Sequence, residues 1–396
     1  MIKAGTPYFL IALFLISFLN SCQNIEPGVS GDTIAMWYML AGTYTKKEGH
    51  VDGKGAGIYI LSVHPETGAL TLLGQSPPLV SPSYFDFHPK KPLVYCVNEH
   101  GEGETAQLTA LSLDLANAGM RILNSVPSQG HYPCYIEVDP SGSSIMASNY
   151  VGGSLISYAL KDDGQIGDLG SFVVHSGTGP NEARQEAPHA HMVRVGKDGT
   201  SVYAADLGCD QIFHYTLNPA SGALQPSGFT RSSEPGSGPR HLEFHPTLYT
   251  VYLLNELNGI IDVYSENPRD GVLIAIQSIS IVDSPKEGLV SGADIHVHPN
   301  GKYLYASNRG VYNEISQFQI DPKTGTLTLI GVISSGGLTP RNFVISPDGA
   351  FLFAANQDSS TIQCFKINPE TGTLTPLGAP FDLPSPVCLK FVPEYL

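Results

Sequence analysis

Long amphipathic helices are the first feature that the sequence lacks. No stretch of its 396 residues repeats apolar positions with the period of about 3.6 that a packed helix needs, and only 14% of the residues are charged. A helical bundle is therefore excluded. The chain is instead rich in glycine (42 residues) and proline (30 residues), which is typical of short strands joined by tight turns. The composition predicts one all-β domain.

Cysteine is also scarce, and its spacing excludes two common roles. Apart from Cys22 near the N-terminus, the chain has five cysteines: Cys96, Cys134, Cys209, Cys364 and Cys388. Their odd number and the absence of any C-x-x-C spacing argue against a disulfide framework and against a zinc site. Most of them lie inside strand patterns, where a free cysteine behaves as a small buried hydrophobe.

Positive charge is the third deficit. The chain has 21 Lys and Arg against 36 Asp and Glu, which gives a net charge of −15. An acidic surface disfavours nucleic acid and anionic lipid as the main partner. We therefore expect no nucleic-acid partner, and contact with a membrane only through an N-terminal anchor.

The N-terminus reads as an export signal. Lys3 precedes an apolar stretch from Tyr8 to Leu19, which is too short to span a bilayer comfortably, and the sequence LNSC (19–22) resembles a bacterial lipobox. We expect a lipoprotein signal peptide at residues 1–22, lipidation of Cys22 and a flexible tether at residues 23–35. This predicts an exported protein anchored in the bacterial cell envelope, on the periplasmic side or in the outer membrane. The alternative is an ordinary secretory signal cleaved nearby.

A strand-turn-strand unit recurs seven times in the rest of the chain. Its copies are PSYFDFHP (82–89), PCYIEVDP (133–140), PHAHMVRVG (188–196), PRHLEFHP (239–246), ADIHVHP (293–299), PRNFVISP (340–347) and PVCLKFVP (386–393). The steps between them are 51, 56, 50, 53, 48 and 46 residues, a period typical of β-propellers. The last copy lacks its outer strands, which WYMLAGTYT (37–45) and IYILSV (58–63) can supply. The sequence thus predicts a seven-bladed β-propeller over residues 36–396, closed by strands from both termini.

Polar residues cluster at two positions of the repeat, the start of its first strand and the end of its second. In an antiparallel pair these two points are neighbours, so we expect both at one mouth of the central channel. The starts contribute His189, His191, Arg240, His241, Asp294, Arg341 and Asn342; the ends contribute Asn98, Glu99, Asn149, Asp206, Asn255, Glu256, Asn308, Arg309 and Asn356.

This set of residues favours a small anionic or polyoxygenated ligand. His189 and His191 lie on one side of a strand, but no third ligand is tied to them by local spacing, so we predict neither a metal nor a cofactor. Arg240 and Glu256 come from one blade and could form either a structural ion pair or an anion-binding and proton-transfer pair. Arg309 adds a second cation, whose planar fork suits carboxylate or phosphate.

Several longer motifs resemble one family. SGTGPNEARQEAPHAHMV (176–193), GSGPRHLEFHP (236–246), YLLNELNGIIDVY (252–264), YLYASNRG (303–310) and TPRNFVISPDG (339–349) are similar to the seven-bladed lactonases, which include propeller-type 6-phosphogluconolactonases and carboxy-muconate cycloisomerases. The resemblance implies functional roles for His191, Arg240, Glu256 and Arg309. It implies neighbouring roles for Arg184, Gln185, His189 and His241, to which the mouth positions add Glu99, Asn308 and Arg341 as substrate contacts.

The resemblance implies hydrolysis of a sugar lactone by a monomer or weak dimer. Glu256 or His191 would deprotonate the attacking water, Arg240 or Arg309 would stabilise the oxyanion, and the remaining histidine would protonate the leaving oxygen. The export signal favours an unphosphorylated lactone. Two alternatives stay open: a cycloisomerase acting on a carboxylated diene, and a lipid-tethered propeller that binds a ligand without turnover.

Overall fold

The computed structural model describes residues 1, 35–49, 51–101 and 106–396. The expected signal peptide, its Cys22 and the tether lie outside these residues, except for Met1 and Ala35. Met36–Leu396 forms one compact unit. Within the described residues, no helix is long and apolar enough to cross a membrane.

The described residues form seven four-stranded antiparallel sheets, which confirms the predicted seven-bladed propeller, and one additional two-stranded sheet made of Lys47–Glu48 and Val51–Asp52. The N-terminal strands are β1 (Trp37–Thr43), β2 (Lys47–Glu48), β3 (Val51–Asp52), β4 (Ile58–Val63) and β5 (Leu70–Gln75). Blade 1 has β6 (Phe85–Phe87), β7 (Leu93–Asn98), β8 (Gln107–Asp114) and β9 (Gly119–Pro127); blade 2 has β10 (His131–Val138), β11 (Ser144–Val151), β12 (Ser154–Leu160) and β13 (Ile166–Val174). Blade 3 has β14 (Ala190–Val195), β15 (Ser201–Asp206), β16 (Gln211–Asn218) and β17 (Ala223–Arg231); blade 4 has β18 (Pro239–Phe244), β19 (Thr250–Asn255), β20 (Ile260–Glu266) and β21 (Leu273–Ser280). Blade 5 has β22 (Gly292–Val297), β23 (Tyr303–Asn308), β24 (Glu314–Ile320) and β25 (Leu327–Ser334); blade 6 has β26 (Pro340–Ile345), β27 (Phe351–Asn356), β28 (Thr361–Ile367) and β29 (Leu374–Asp382).

Blade 7 is built from both ends of the chain, as the repeat count predicts. Its innermost strand is β30 (Pro386–Phe391), and the order of the sheet is β30, β1, β4, β5. Thr43, the last residue of β1, pairs with Pro386, the first residue of β30. The closed ring leaves no inner strand edge open for aggregation.

The core lies between blades and is formed by the second and third strands. Every residue of β7, β19, β23 and β27 is buried, whereas the outermost strands, such as β5 and β29, are largely exposed. Glycine is required in the turns between outer strands, where Gly68, Gly222, Gly325 and Gly372 have φ of 68°, 70°, 75° and 71°. Tyr252 and Tyr305 donate hydrogen bonds of 2.8 and 2.7 Å to the carbonyls of Gly325 and Gly372 in the following blade.

Side chains bridge every junction between neighbouring inner strands around the channel. Backbone N–H groups donate to Asp86 (from Val138, 2.9 Å), Glu137 (from Val195, 2.9 Å), Asp294 (from Phe343, 3.3 Å) and Asn342 (from Leu389, 2.7 Å). Arg194 donates to the Leu242 carbonyl (3.2 Å), Arg240 donates to the Ala293 carbonyl, and Lys390 pairs with Asp86 (2.8 Å) to close the ring. Each of the seven junctions between neighbouring inner strands is therefore bridged by at least one side-chain contact.

The histidines of the turns at the opposite mouth have structural roles, as expected. His245 and His298 hydrogen-bond through Nε2 to the carbonyl oxygens of Gly301 (2.9 Å) and Gly349 (2.8 Å) in the next blade. The five cysteines of the propeller are free and buried.

We expect Leu389→Ala to destabilise the propeller because Leu389 packs in the closing blade with 1% of its surface exposed. Truncating a buried leucine lowers the free energy of unfolding by about 2–5 kcal/mol. The matched control is Leu72→Ala in the same blade, because Leu72 is 49% exposed. The measurement is the urea midpoint of each variant, and equal midpoints for the two would contradict the closure described here.

Candidate functional site

The pairing register brings the polar strand starts and strand ends to one mouth of the channel. Pro239 at the start of β18 pairs with Asn255 at the end of β19, and Pro340 pairs with Asn356 in the same way. Residues that are scattered along the sequence therefore converge around one opening, which we call the upper mouth.

The centre of the upper mouth is the carboxylate of Glu256. Its Oε1 lies 2.7 Å from Nη2 of Arg184, and its Oε2 lies 2.9 Å from both Nε of Arg240 and Nη2 of Arg309. The side chains of Glu256 and Arg240 are 7% and 1% exposed. Three guanidinium groups from blades 3, 4 and 5 thus share one buried carboxylate.

These contacts determine the charge state of the cluster. Burial alone would raise the pKa of Glu256, but Arg309, Arg240 and Arg184 together hold it far below its ordinary range. Burial and the neighbouring Arg309 lower the pKa of Arg240 to about 10, so Arg240 stays protonated at neutral pH. Glu256 is therefore an anion across the physiological range and a very weak base.

His191 is the neutral partner of this charged cluster. Burial and the positive charge of Arg240 hold the pKa of His191 well below its ordinary value. Its Nδ1 is buried and has no hydrogen-bond partner among the described residues. The ring is edge-on to Tyr150 and His241, with centroids 5.8 and 5.2 Å away. The lowered pKa favours a neutral imidazole at His191, with one ring nitrogen free of a proton, and the ring packs against Tyr150 and His241.

A second histidine lies deeper and is oriented by a carboxylate. Nδ1 of His241 is 2.8 Å from Asp294 Oδ1, and its Nε2 is 3.3 Å from Nη1 of Arg240. Burial and Arg240 lower the pKa of His241 to about 4. Since Arg240 donates to Nε2, the Nδ1 atom of His241 carries the proton toward Asp294.

A cavity of about 570 Å³ opens at the upper mouth. Its walls are Glu99, Tyr132, Cys134, Tyr150, Val151, Arg184, His191, Glu256, Ser291, Arg309, Thr339, Arg341, Gln357 and Asp358. A small recess continues below it, and Arg240, His241 and Asn342 line this recess together with His191 and Arg341. Of the four residues that the resemblance marked as functional, His191, Glu256 and Arg309 line the cavity, and Arg240 supports them from below.

Arg341 brings a fourth guanidinium to the cavity wall. It lies over the ring of Tyr44, 5.3 Å from the centroid, and its Nη2 is 3.9 Å from Oε1 of Glu99. Glu99 also accepts hydrogen bonds from Tyr44 (2.9 Å) and Ser83. Arg341 and Glu99 thus form a second cation–anion pair across the cavity from Glu256.

Three predicted contact residues line neither the cavity nor the recess below it. Gln185 is fully buried and donates to the Leu207 carbonyl and to Asp210. Asn308 accepts the Ser291 N–H at 3.0 Å, and His189 stacks on Tyr150 with centroids 4.6 Å apart. The polar side-chain atoms of Gln185 and His189 are hydrogen-bonded within the protein, whereas Nδ2 of Asn308 is buried and has no hydrogen-bond partner among the described residues. None of the three side chains lines the cavity.

Sequence reasoning missed Tyr150, Gln357 and Asp358. In five blades an asparagine lies at or near the end of the second strand, and its side chain is used structurally. Asn149 and Asn356, for example, donate to the carbonyls of Ser128 and Ser335 at 3.0 Å. The cavity is lined by the residues that follow these asparagines. Tyr150 and Gln357 could have been predicted from the sequence, because each directly follows such an asparagine.

Within the described part of the chain, no group of three or more His, Cys, Asp or Glu side chains could hold a metal ion.

Comparisons with known proteins show the family and the fold. The sequence profile of a family described as "Lactonase, 7-bladed beta-propeller" matches residues 38–391. A 6-phosphogluconolactonase of Bacillus subtilis is 32% identical over 352 residues, covering 89% of this chain and 97% of the relative. A 6-phosphogluconolactonase of Formosa agariphila is also 32% identical, and the match covers 82% of this chain and 90% of the relative. The solved structure of a periplasmic gluconolactonase of Pseudomonas aeruginosa is similar with a TM-score of 0.84 at 29% identity, covering 91% of this chain and 99% of that one.

We expect Glu256→Gln to destabilise the protein because three guanidinium groups would lose their shared counter-charge. Breaking a buried ion pair from one side lowers the free energy of unfolding by about 3–5 kcal/mol. Because the folded pKa of Glu256 lies below its unfolded value of about 4.3, the stabilisation is present above that pH and is lost as the pH falls through the folded value. The difference between wild type and variant should therefore shrink in acid.

Thermal unfolding with and without millimolar inorganic phosphate checks this prediction. Phosphate should raise the Tm of Glu256→Gln more than that of the wild type, because it can replace the missing anion. The control is Glu370→Gln on an exposed turn. A Tm for Glu256→Gln equal to that of this control would show that the arginines do not depend on the carboxylate.

Proposed function

Because the chain belongs to the family of seven-bladed β-propeller lactonases, we propose that it hydrolyses the ester bond of a sugar lactone in the cavity at the upper mouth. The observation that carries the proposal is that His191 and the ion-pair cluster of Glu256 with Arg184 and Arg309 line one cavity. A lactone carbonyl requires an acceptor for the proton of water and cations near its oxygen. Both requirements are met by side chains that line one cavity.

The arginines serve the developing oxyanion. Arg309 and Arg341 line the cavity from adjacent blades, so a carbonyl oxygen directed toward them meets two cationic donors. Arg240 adds a further positive charge from the recess below. Such preorganised charge stabilises the transition state more than the ground state, because the negative charge appears only as water attacks.

His191 is the base, and Glu256 is not. Both oxygens of Glu256 are paired with arginines, which also hold its pKa far below the ordinary range, whereas Nδ1 of His191 has no hydrogen-bond partner among the described residues. Water gives its proton to His191 as its oxygen bonds to the carbonyl carbon. The negative charge of the oxyanion then offsets the positive charge of the arginines that had lowered the pKa of His191. The pKa of His191 therefore rises, and the ring holds the proton more readily. His191 returns the proton to the ring oxygen as the carbon–oxygen bond breaks, which yields the open hydroxy acid.

The N-terminal sequence supports an exported enzyme acting on an unphosphorylated aldonolactone. Residues 1–22 carry the features of a lipoprotein signal, and we propose that Cys22 becomes the lipidated first residue of an envelope-anchored protein. Among the similar solved structures, that of P. aeruginosa is described as a periplasmic gluconolactonase. Phosphorylated sugars belong to the cytoplasm, so a site outside it would meet lactones without phosphate.

We expect the purified propeller to open δ-gluconolactone faster than its 6-phosphate and to leave a carboxymuconate unchanged. His191→Asn should lower kcat/KM by about a hundredfold or more, because it removes the proton acceptor. Since the reactive form of His191 is neutral and its pKa is lowered, wild-type kcat/KM should stay level as the pH falls through about 6.5, the ordinary pKa of histidine. A pH-stat assay, corrected for spontaneous hydrolysis, measures the substrate preference, the loss in His191→Asn and the pH dependence.

The matched control is His64→Asn, which changes a histidine in a turn between outer strands, away from the cavity. It should retain wild-type kcat/KM. Full activity of His191→Asn would remove His191 from the reaction. Turnover of the carboxymuconate would favour cycloisomerisation, and binding of lactones without turnover would favour the ligand-binding alternative.

We expect Cys22→Ala to abolish lipidation of the full-length protein. Cys22 provides the only thiol in the lipobox-like sequence, so labelled fatty acid should be incorporated into the wild type and not into the variant. Metabolic labelling followed by fractionation of membranes measures this. Equal labelling of both proteins would mean that another residue carries the lipid, and no label in either would favour a plain secretory signal.

A further inference from the structure

Asp210 contacts two segments that supply the side chains of the arginine cluster. It lies in the turn between β15 and β16, is 7% exposed and has a φ of 53°. Asparagine and aspartate tolerate this left-handed conformation better than other residues with a Cβ. The turn directs the carboxylate away from solvent and between the loop at residues 176–188 and the loop that precedes β18.

The first contact fixes the loop at residues 176–188. Nε2 of Gln185 donates to Oδ1 of Asp210 at 2.6 Å and to the Leu207 carbonyl at 2.8 Å. Oε1 of Gln185 accepts the Asn181 N–H at 3.1 Å. The adjoining residue is Arg184, which reaches Glu256. The loop is thus held by one fully buried amide side chain, next to the arginine that it presents.

The second contact fixes the chain that leads to Arg240. Asp210 accepts the N–H groups of Gly236 (2.5 Å) and Gly238 (2.8 Å). Gly238 has a φ of 70°, and a Cβ there would lie 2.7 Å from the Leu257 side chain, so glycine is required. Its carbonyl accepts the N–H of Glu256 at 2.7 Å. One carboxylate therefore orders the backbone on both sides of the ion pair between Arg240 and Glu256.

We propose that Asp210 is a positioning residue that holds Arg184, Arg240 and Glu256 in register, an inference that rests on the proposed lactonase function for its kinetic readout. Like charges on the three guanidinium groups oppose their approach to one carboxylate, so the cluster needs support from the backbone. Arg184 needs it most, because it is on a loop and its side chain is 42% exposed. Asp210 and Gln185 supply that support without lining the cavity.

A double-mutant cycle tests whether the hydrogen bond between Gln185 and Asp210 acts through Arg184. Gln185→Ala in the wild-type background should lower kcat/KM for δ-gluconolactone by about tenfold to a hundredfold, because a displacement of about 1 Å has effects of this size. In an Arg184→Ala background, the same change should have little further effect, since its target is already absent. Equal fold-losses in the two backgrounds, or no loss in either, would overturn the proposal.

Asp210→Asn, with Asp139→Asn as its matched control, separates positioning from stability. Asp139 is also buried and accepts the N–H groups of Ser141, Ser143 and Ser144, but it lies at the opposite mouth. Both variants should lower the Tm. Only Asp210→Asn should lower kcat at a temperature well below the Tm of both. Equal kcat for the two variants would overturn the proposal.

Amide hydrogen exchange decides the proposal independently of turnover. Asp210→Asn should raise exchange together in residues 176–188, 236–240 and 256–258, whereas Asp139→Asn should raise it only near its own turn. Faster exchange confined to residues 207–212 would overturn the positioning role. If the wild type opens no lactone, the proposed function fails, and hydrogen exchange still tests whether Asp210 holds the two loops in place.

Discussion

The buried carboxylate of Glu256 is the interaction on which the rest of the upper mouth depends. Guanidinium groups repel one another, and burying several of them without an anion would be strongly unfavourable. By accepting three of them, Glu256 allows a concentration of positive charge among buried side chains, where charges act more strongly than in water. The same arrangement makes Glu256 a poor general base and leaves His191 as the proposed proton acceptor.

The propeller supplies the rigidity that such a site needs. Each inner strand is joined to the next by a side chain in the channel wall, and Lys390 closes the series on Asp86. Two of these bridges belong to the site itself, because Arg240 binds the Ala293 carbonyl and Asp294 both orients His241 and accepts the Phe343 N–H. Recognition and the integrity of the ring therefore use some of the same side chains.

The repeat made much of this molecule predictable. Its period indicated the blade number, the incomplete last copy indicated closure, and antiparallel pairing brought His191, Arg240, Glu256 and Arg309 together. The course of the loop at residues 176–188 was beyond such reasoning, because no strand pairing specifies it, and so the inward direction of Gln185 was missed. The choice between Glu256 and His191 as base also stayed open, since it depends on how many arginines reach one carboxylate.

The point at which the chain enters the ring has a consequence for access. β1 runs toward the upper mouth, because its last residue, Thr43, pairs with Pro386 at the start of the inner strand β30. Trp37, at its other end, therefore lies on the opposite rim. A label or support coupled to the side chain of Trp37 would therefore lie on the far side of the propeller from the cavity, and the entrance would stay open to solutes.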